Sequence, residues 1–396
     1  MNEHDTALEY FIHTVQVDTA SGEEMAMADF IVRTIRGIGI AVDNILHDQA
    51  HAQFGGNCGN LFISVPATQG REKLPCIGFN AHMDRVQPAF GVKPRLTDDG
   101  RRIVSDGTTV LGADDGAGIA IILQMLRTLH DLRIPHGPLQ LIFTVSEETK
   151  LQGARHIDPS LIKASMIYSF DGDRPEQIFT HTCSSNKYRI IVKGKNAHAG
   201  VHPEQGISAP LIMARALEAL SQDGCFGRYE NRDQHVASSN FNVEGFQPVG
   251  TNSVQAEIVI GGETRSFDDQ TLKRMDRAIK REFDKAAISV MGFNPDDGTY
   301  SLRGAVEITC DCAYDFLAVP ANSDVVRRAT KSIANCGLSA EVMPPVMGGL
   351  DACWLNKYAP TIALGMGAYK YHTVGEYLDV AEYLQACRIA VALAVL

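Results

Sequence analysis

Leu139-Gln140-Leu141-Ile142-Phe143-Thr144-Val145 is an almost unbroken apolar run of strand length, and Ser146-Glu147-Glu148 follows it directly. Such a strand has both faces covered, the mark of a sheet enclosed by helices. The flanking sequence alternates accordingly. Asp5–Val17 and Gly22–Ile38 read as helices, the second with Met25, Met27, Ala28, Ile31, Ile35 and Ile38 at a mostly helical period. Asn60–Val65, Leu74–Asn80 and Met166–Phe170 read as strands, and Asp115–Leu129 as a helix with a wide apolar face. These features predict an α/β domain, a mostly parallel sheet flanked by helices.

Near Phe179 the texture changes. Lys187–Val192, His235–Val243, Ser253–Ile260 and Ala305–Asp311 read as strands, with helices at Ile207–Leu220 and Leu272–Val290. Strand–helix–strand–strand–helix–strand is the ferredoxin-like α+β order. The expected organisation is an inserted domain over 179–319 within a discontinuous first domain, 1–178 and 320–396. The last part brings a helix at Ser323–Asn335, the strand Thr361–Leu364 and a final helix from Leu378.

A chain of 396 residues suggests two or three domains. Its net charge of -11 argues against general affinity for nucleic acid, which needs basic surface to displace counterions. No apolar run reaches membrane-spanning length, and the acidic start MNEHDTALEYF lacks the pattern of a secretory signal. A cytoplasmic location is expected. Nine cysteines without a CxxC suggest buried free thiols rather than a disulfide framework.

Polar residues gather where strands should end. His82 follows Leu74–Asn80, with Asp84 two residues on, placed to accept the other ring N–H of a ligating imidazole. Asp114 and Asp115 precede a helix in Gly112-Ala113-Asp114-Asp115-Gly116. An Asp there is also an ordinary helix cap. Glu147 and Glu148 diverge as neighbours, so one can bind a cation while the other faces substrate. Asp171 ends the Met166–Phe170 strand, and His372 lies in a loop after Thr361–Leu364. Singly, these are turn and cap residues. Together, two histidines and three carboxylates, each at the end of an element of one α/β domain or in a loop beside it, match the ligand set of a two-metal hydrolase. No GxSxG, GxxxxGK[ST] or GxGxxG pattern supports a serine hydrolase, NTPase or dinucleotide enzyme.

His82-x-Asp84, Gly112-Ala113-Asp114-Asp115, Glu147-Glu148, Asp171-Gly172 and His372 resemble the M20 metallopeptidases, most closely the peptidase T-like branch, over nearly the whole chain. The resemblance implies two zinc ions per subunit, with cobalt or manganese also compatible. His82, Asp114 and Asp171 would hold one, and Asp114, Glu148 and His372 the other, with a cis Asp114–Asp115 peptide bond. Glu147 would be the general base towards a water between the metals, and Asp84 the support of His82. In the insert, Asn196-Ala197-His198-Ala199-Gly200 resembles a lid segment whose His198 assists at the substrate carbonyl, often in the neighbouring subunit of a homodimer. Asn252 and Arg265 match substrate-contacting positions, although Arg265 could equally pair with Asp268 or Asp269. Gly348–Ala352 resembles a loop near the site. Arg85 and Gly116 depart from the pattern, which usually has a small residue and a lysine there.

Asp171, where other members carry Glu, accompanies aminopeptidases in the family. The expected activity is therefore release of an N-terminal residue from di- or tripeptides. N-acyl amino acid deacylase, carboxypeptidase and catalytically silent peptide-binding protein are the alternatives on the same scaffold.

Overall fold

The computed structural model describes residues 3–230, 236–246 and 249–396. The chain divides into two compact units, Met1–Thr182 with Leu317–Leu396, and Cys183–Phe316.

The first unit is built on an eight-stranded sheet in the order Asn44–His47, Leu61–Val65, Leu139–Thr144, Ile77–His82, Met166–Gly172, Thr361–Gly365, Gln177–Phe179, Glu341–Val342. The four central strands are mutually parallel. Their residues are buried almost throughout, as the apolar runs require. Towards one edge, Leu61–Val65 pairs antiparallel with Leu139–Thr144 and with Asn44–His47, and Gln177–Phe179 is antiparallel to Thr361–Gly365. The sheet is therefore mixed, with the parallel pairs concentrated at its centre. The short outer strands carry too few apolar residues to show a period in sequence.

The Ala113–Asp131 helix packs on the Ile77–His82 and Met166–Gly172 strands and is flanked by the helices Glu3–Val15, Met25–Ile38 and Val380–Val395. Phe79 stacks on Phe170 with ring centroids 6.3 Å apart. A second apolar cluster of Phe62, Ile142, Ile157, Ala164, Ile167, Leu355 and Ala359 completes the core. Gly365 permits a close crossing at the end of its strand: a Cβ there would lie 1.9 Å from the Arg174 carbonyl oxygen.

The second unit is an antiparallel sheet in the order Gly227–Glu230, Val236–Phe246, Glu257–Ser266, Ser184–Lys193, Ala305–Tyr314. Its four long strands lie second, third, first, fourth, the ferredoxin-like order. Helices Ala209–Gln222 and Asp269–Ser289 cover it through a core that includes Ile190, Ile212, Leu220, Ile279 and Phe283. Ser208 and Asp268 cap these helices, accepting from the Leu211 and Thr271 N–H groups. The expected strand from His235 is observed as Val236–Phe246, and His235 itself lies outside the described residues.

All nine cysteines are free, and Cys58, Cys183, Cys225, Cys353 and Cys387 are buried. Cys310 corrects the expectation of buried thiols. It is exposed, because its strand is last in the sheet order and alternates solvent-facing residues. Among the described residues no helix is long and apolar enough to cross a membrane.

Gly365→Ala should lower the stability of the folded chain by roughly 2–4 kcal/mol, since the added carbon meets backbone that cannot move aside. Thermal or denaturant unfolding measures it, and an unchanged midpoint would contradict the packing described.

Candidate metal centre

The parallel register brings the polar residues to one end of the sheet. His82 is the last residue of its strand and pairs with Thr144, so Glu147 and Glu148 emerge just beyond it. Leu364 pairs with Phe170 and Gly365 with Gly172, which leaves Asp171 as the extra residue of a bulge. Bulges re-aim side chains at strand ends. His372 follows Thr361–Gly365 in a loop, with φ 60°.

Asp114 stands at the centre. Its Oδ1 lies 2.9 Å from His82 Nε2 and its Oδ2 lies 3.3 Å from His372 Nε2. His372 Nε2 is also 3.0 Å from Glu148 Oε2. One carboxylate thus presents each oxygen to a different imidazole. The Asp114–Asp115 peptide bond is cis, and both residues have non-helical backbone angles. The aspartate pair divides two tasks between its members. Asp115 is the helix cap, accepting from Gly118 N–H at 3.0 Å through Oδ1 and from His82 N–H at 2.9 Å through Oδ2. Asp114 is left to face the imidazoles.

Asp84 ties the other ligand-type residues together. Its carboxylate accepts from Glu147 N–H at 2.9 Å, Glu148 N–H at 3.2 Å and Ser21 Oγ–H at 2.6 Å. His82 Nδ1 lies 3.1 Å from the Asp84 carbonyl oxygen and 3.4 Å from its Oδ1. The Asp84 backbone thus shares the ring contact with the carboxylate, because Asp84 lies past the end of the strand rather than within it. A polar chain on the sheet leads to Asp351: Ser169 Oγ donates to Asn80 Oδ1, Asn80 Nδ2 to Thr144 Oγ1, and Thr144 Oγ1 to Asp351 Oδ2.

The electrostatics follow from burial of like charges. Burial raises the proton affinity of Glu147 and Asp171 far above the ordinary carboxylate range; the charge of Asp171 adds to it at Glu147, that of Asp114 at Asp171, and those of Asp351 and Glu148 at both. Burial raises Glu148 against the opposing His372 hydrogen bond, and lifts Asp351 to about 7. Burial also acts upwards on Asp114, but the bonds to His372 and His82 prevail and lower it. Asp84 is likewise lowered, since hydrogen bonds from His82 and Ser21 outweigh its burial. His372 is raised to about 10 by its bonds to Asp114 and Glu148.

The donor set fits a cation. Donor atoms of His82, Asp114 and Glu148 lie within 4.8 Å of one another. Glu148 Oε1 and Asp351 Oδ1 are buried with no hydrogen-bond partner. Imidazole and carboxylate donors suit zinc, cobalt or manganese. Asp171 lies outside that closest trio, near enough for the charges of Asp114 and His82 to act on it.

Arg85 and Gly116 meet in space. The buried Arg85 guanidinium donates through Nη1 to the Val15 and Val17 carbonyls at 2.9 and 3.1 Å, and through Nη2 to Thr14 at 2.7 Å. These carbonyls lie at and just beyond the end of the Glu3–Val15 helix. A Cβ on Gly116 would lie 3.0 Å from Val15 Cγ1 and 3.6 Å from Arg85 Nη2, so Val15 crowds the position and the guanidinium lies alongside it. Glu376 holds the turn ahead of Asp114, accepting from Gly112 N–H at 2.7 Å and Asp114 N–H at 3.0 Å.

His198, Asn252 and Arg265 belong to the second unit. His198 is exposed, and its Nδ1 accepts from Gly200 N–H at 3.2 Å. The Asn252 carbonyl accepts from Ala199 N–H at 2.8 Å, holding Asn252 beside His198. Arg265 Nε donates to Glu263 Oε1 at 3.0 Å, two residues back on the same strand, and its guanidinium lies 6.0 Å from the Tyr314 ring centre. Glu263, absent from the sequence expectation, is thus an ion-pair partner of Arg265, and Asp268 caps the next helix.

Sequence reasoning passed over Glu24, Asp115 and Glu376 as functional residues and noted Asp351 only within a loop. Ser21-Gly22-Glu23-Glu24 ahead of an apolar helix carries the Ser-x-x-Glu spacing of a helix start, which masks Glu24. Nothing local marks Glu376, whose partners lie more than 260 residues away.

Cation-free protein should lose stability as pH rises. Asp351 and Glu376, raised mainly by burial to about 7, keep a proton in the folded chain where the unfolded chain has lost it. Their contribution is full below about pH 4 and disappears as pH passes about 7. Glu147 and Asp171 act in the same direction, as does His372 on its way to about 10. The melting temperature of chelator-treated protein should therefore fall between about pH 5.5 and 8.5. A rise over that interval would contradict this account of the cluster.

Comparison with known proteins gives the family and the fold. The family model for peptidase family M20/M25/M40 matches residues 78–395. The uncharacterised protein YqjE of Bacillus subtilis is 31% identical over 98% of this chain and 96% of its own. Peptidase T of Clostridium botulinum is 25% identical over 98% of both chains. Among solved structures, a tripeptidase of Staphylococcus aureus superposes with a TM-score of 0.86 at 29% identity, covering 100% of this chain and 98% of its own. The aminopeptidase PepT of Bacillus cereus gives 0.82 at 29% identity, covering 99% and 98%. With its fold, its strand-end cluster and these likenesses in agreement, the chain belongs to peptidase family M20/M25/M40, as a peptidase T-like metallopeptidase.

Proposed function

We propose that this enzyme is a two-cation aminopeptidase that removes the N-terminal residue from di- and tripeptides. The observation that carries the reading is Asp114, whose two oxygens face two different imidazoles with Glu148 closing the group. In this reading His82, Asp114 and Asp171 hold one cation, and Asp114, Glu148 and His372 the other. Zinc is the preferred ion. Once bound, such cations supply Lewis acidity at the scissile carbonyl and lower the pKa of water.

Glu147 is the general base. It is 9% exposed and held by its backbone N–H on Asp84, with Leu151 N–H donating to its carbonyl at 2.7 Å. Its surroundings give it a higher proton affinity than a surface glutamate, suiting it to take a proton from attacking water. The water oxygen bonds to the carbonyl carbon. Glu147 then delivers the proton to the amide nitrogen as the C–N bond breaks, yielding a free amino acid and a shortened peptide.

Residues of the second unit are assigned to the substrate. With Nδ1 of His198 accepting from Gly200, Nε2 carries a proton it can donate to the carbonyl oxygen. Arg265 is assigned to the peptide carboxylate, which its planar fork can bind through two oxygens, and Asn252 to the peptide backbone. A homodimer would let His198 act in a partner's site. The nine free thiols suit a reducing cytoplasm.

The likeness to a tripeptidase and an aminopeptidase favours unblocked small peptides. Zinc-reconstituted enzyme should cleave free tripeptides and spare their N-acetylated forms. Cleavage of the blocked forms alone would replace this reading with deacylation of N-acyl amino acids. Glu147→Ala should retain its cations and lose roughly 100- to 10,000-fold in kcat. Near-parental turnover by that variant would remove Glu147 as the base.

A further inference from the structure

Ser146, the residue just before Glu147, has φ 50°, in the left-handed region that a serine seldom adopts. It is 1% exposed and lies two residues beyond the strand that ends at Thr144. With extended angles at Ser146 the strand would simply continue, and Glu147 would leave in another direction.

Glu24 holds Ser146 in this conformation from across the sequence. Its Oε1 accepts from Ser146 N–H at 2.9 Å and from Ser146 Oγ–H at 3.0 Å. The same oxygen accepts from Gly22 N–H at 2.8 Å, which fixes the carboxylate against its own loop. Glu24 is fully buried at the start of the Met25–Ile38 helix and makes no side-chain cap to it. Its neighbours reinforce the placement: Thr19 Oγ donates to the Met83 carbonyl at 3.0 Å and Ser21 Oγ to Asp84. The loop between the first two helices thus grips the Met83–Asp84 and Ser146–Glu147 segments together.

We propose that Glu24 is a positioning residue for catalysis: it locks Ser146 in the left-handed conformation that aims Glu147 into the metal centre. Its partners are the backbone N–H and hydroxyl of Ser146, so it acts on the direction of the chain and not on substrate. The inference rests on the assignment of Glu147 as general base.

Glycine adopts positive φ freely, which gives a selective test. On zinc-reconstituted enzyme, Glu24→Ala should lower kcat roughly 10- to 100-fold, the range expected when a catalytic group is misplaced by about an ångström, with KM within about threefold of the parent. Ser146→Gly alone should stay within about twofold, since its N–H still reaches Glu24. The double variant Glu24→Ala/Ser146→Gly should regain most of the lost kcat, a rescue that a general packing role for Glu24 would not give. Should Glu24→Ala give no cooperative melt, Glu24→Asp, one methylene too short to reach Ser146, takes its place in the single and the double variant. Parental kcat in the Glu24 variant overturns the proposal, and so does a double variant no faster than the single one. Glu147→Ala measured alongside separates the two readings. If it is inactive while the Glu24 variant is unimpaired, only the positioning role falls; if it is itself active, the base assignment falls.

Discussion

Burial of like charge is the constraint on which the rest of this structure depends. Asp114, Glu147, Glu148, Asp171 and Asp351 crowd the carboxyl ends of parallel strands, buried or half-buried, where water solvates them poorly. Uncompensated buried carboxylates are expensive, and two imidazoles do not neutralise five. The fold is organised to impose that cost in a fixed geometry. Asp84 gathers the backbone of both glutamates and one histidine, Asp115 pins His82, and Glu376 pins the turn before Asp114. Such a scaffold is worthwhile where positive charge is to be bound, and the same crowding raises the proton affinity of Glu147.

Much of this was legible in the sequence because the central strands are buried on both faces. The apolar run Leu139–Val145 marked a covered strand, and polar residues at strand ends stood out against it. The bland reading of the aspartate pair as a helix cap was also sound, but it applies to Asp115 alone. The edge strands stayed hidden for want of a period, and the sheet is accordingly more mixed than its centre suggests.

What the sequence concealed were residues whose partners are distant in the chain. Glu24 imitates a helix start, yet its carboxylate serves Ser146, 122 residues away. Arg85 and Gly116 read as two separate departures from a pattern. In the fold they are neighbours, with the guanidinium lying beside the glycine and capping a helix end. For Arg265 the sequence offered a substrate contact or an ion pair with Asp268 or Asp269, and the strand adds Glu263, two residues back, as a partner. Periodicity carries no information on contacts of this kind, which depend on which loops the topology brings together.

The claim at the centre of this account is that Asp114 is shared between two cations. The most direct measurement is calorimetric titration of zinc into chelator-treated protein and into its Asp114→Asn variant. The account expects two equivalents per chain in the parent and a loss of affinity at both sites in the variant. Two sites in the variant with either one at parental affinity, or a single equivalent in the parent, would contradict it.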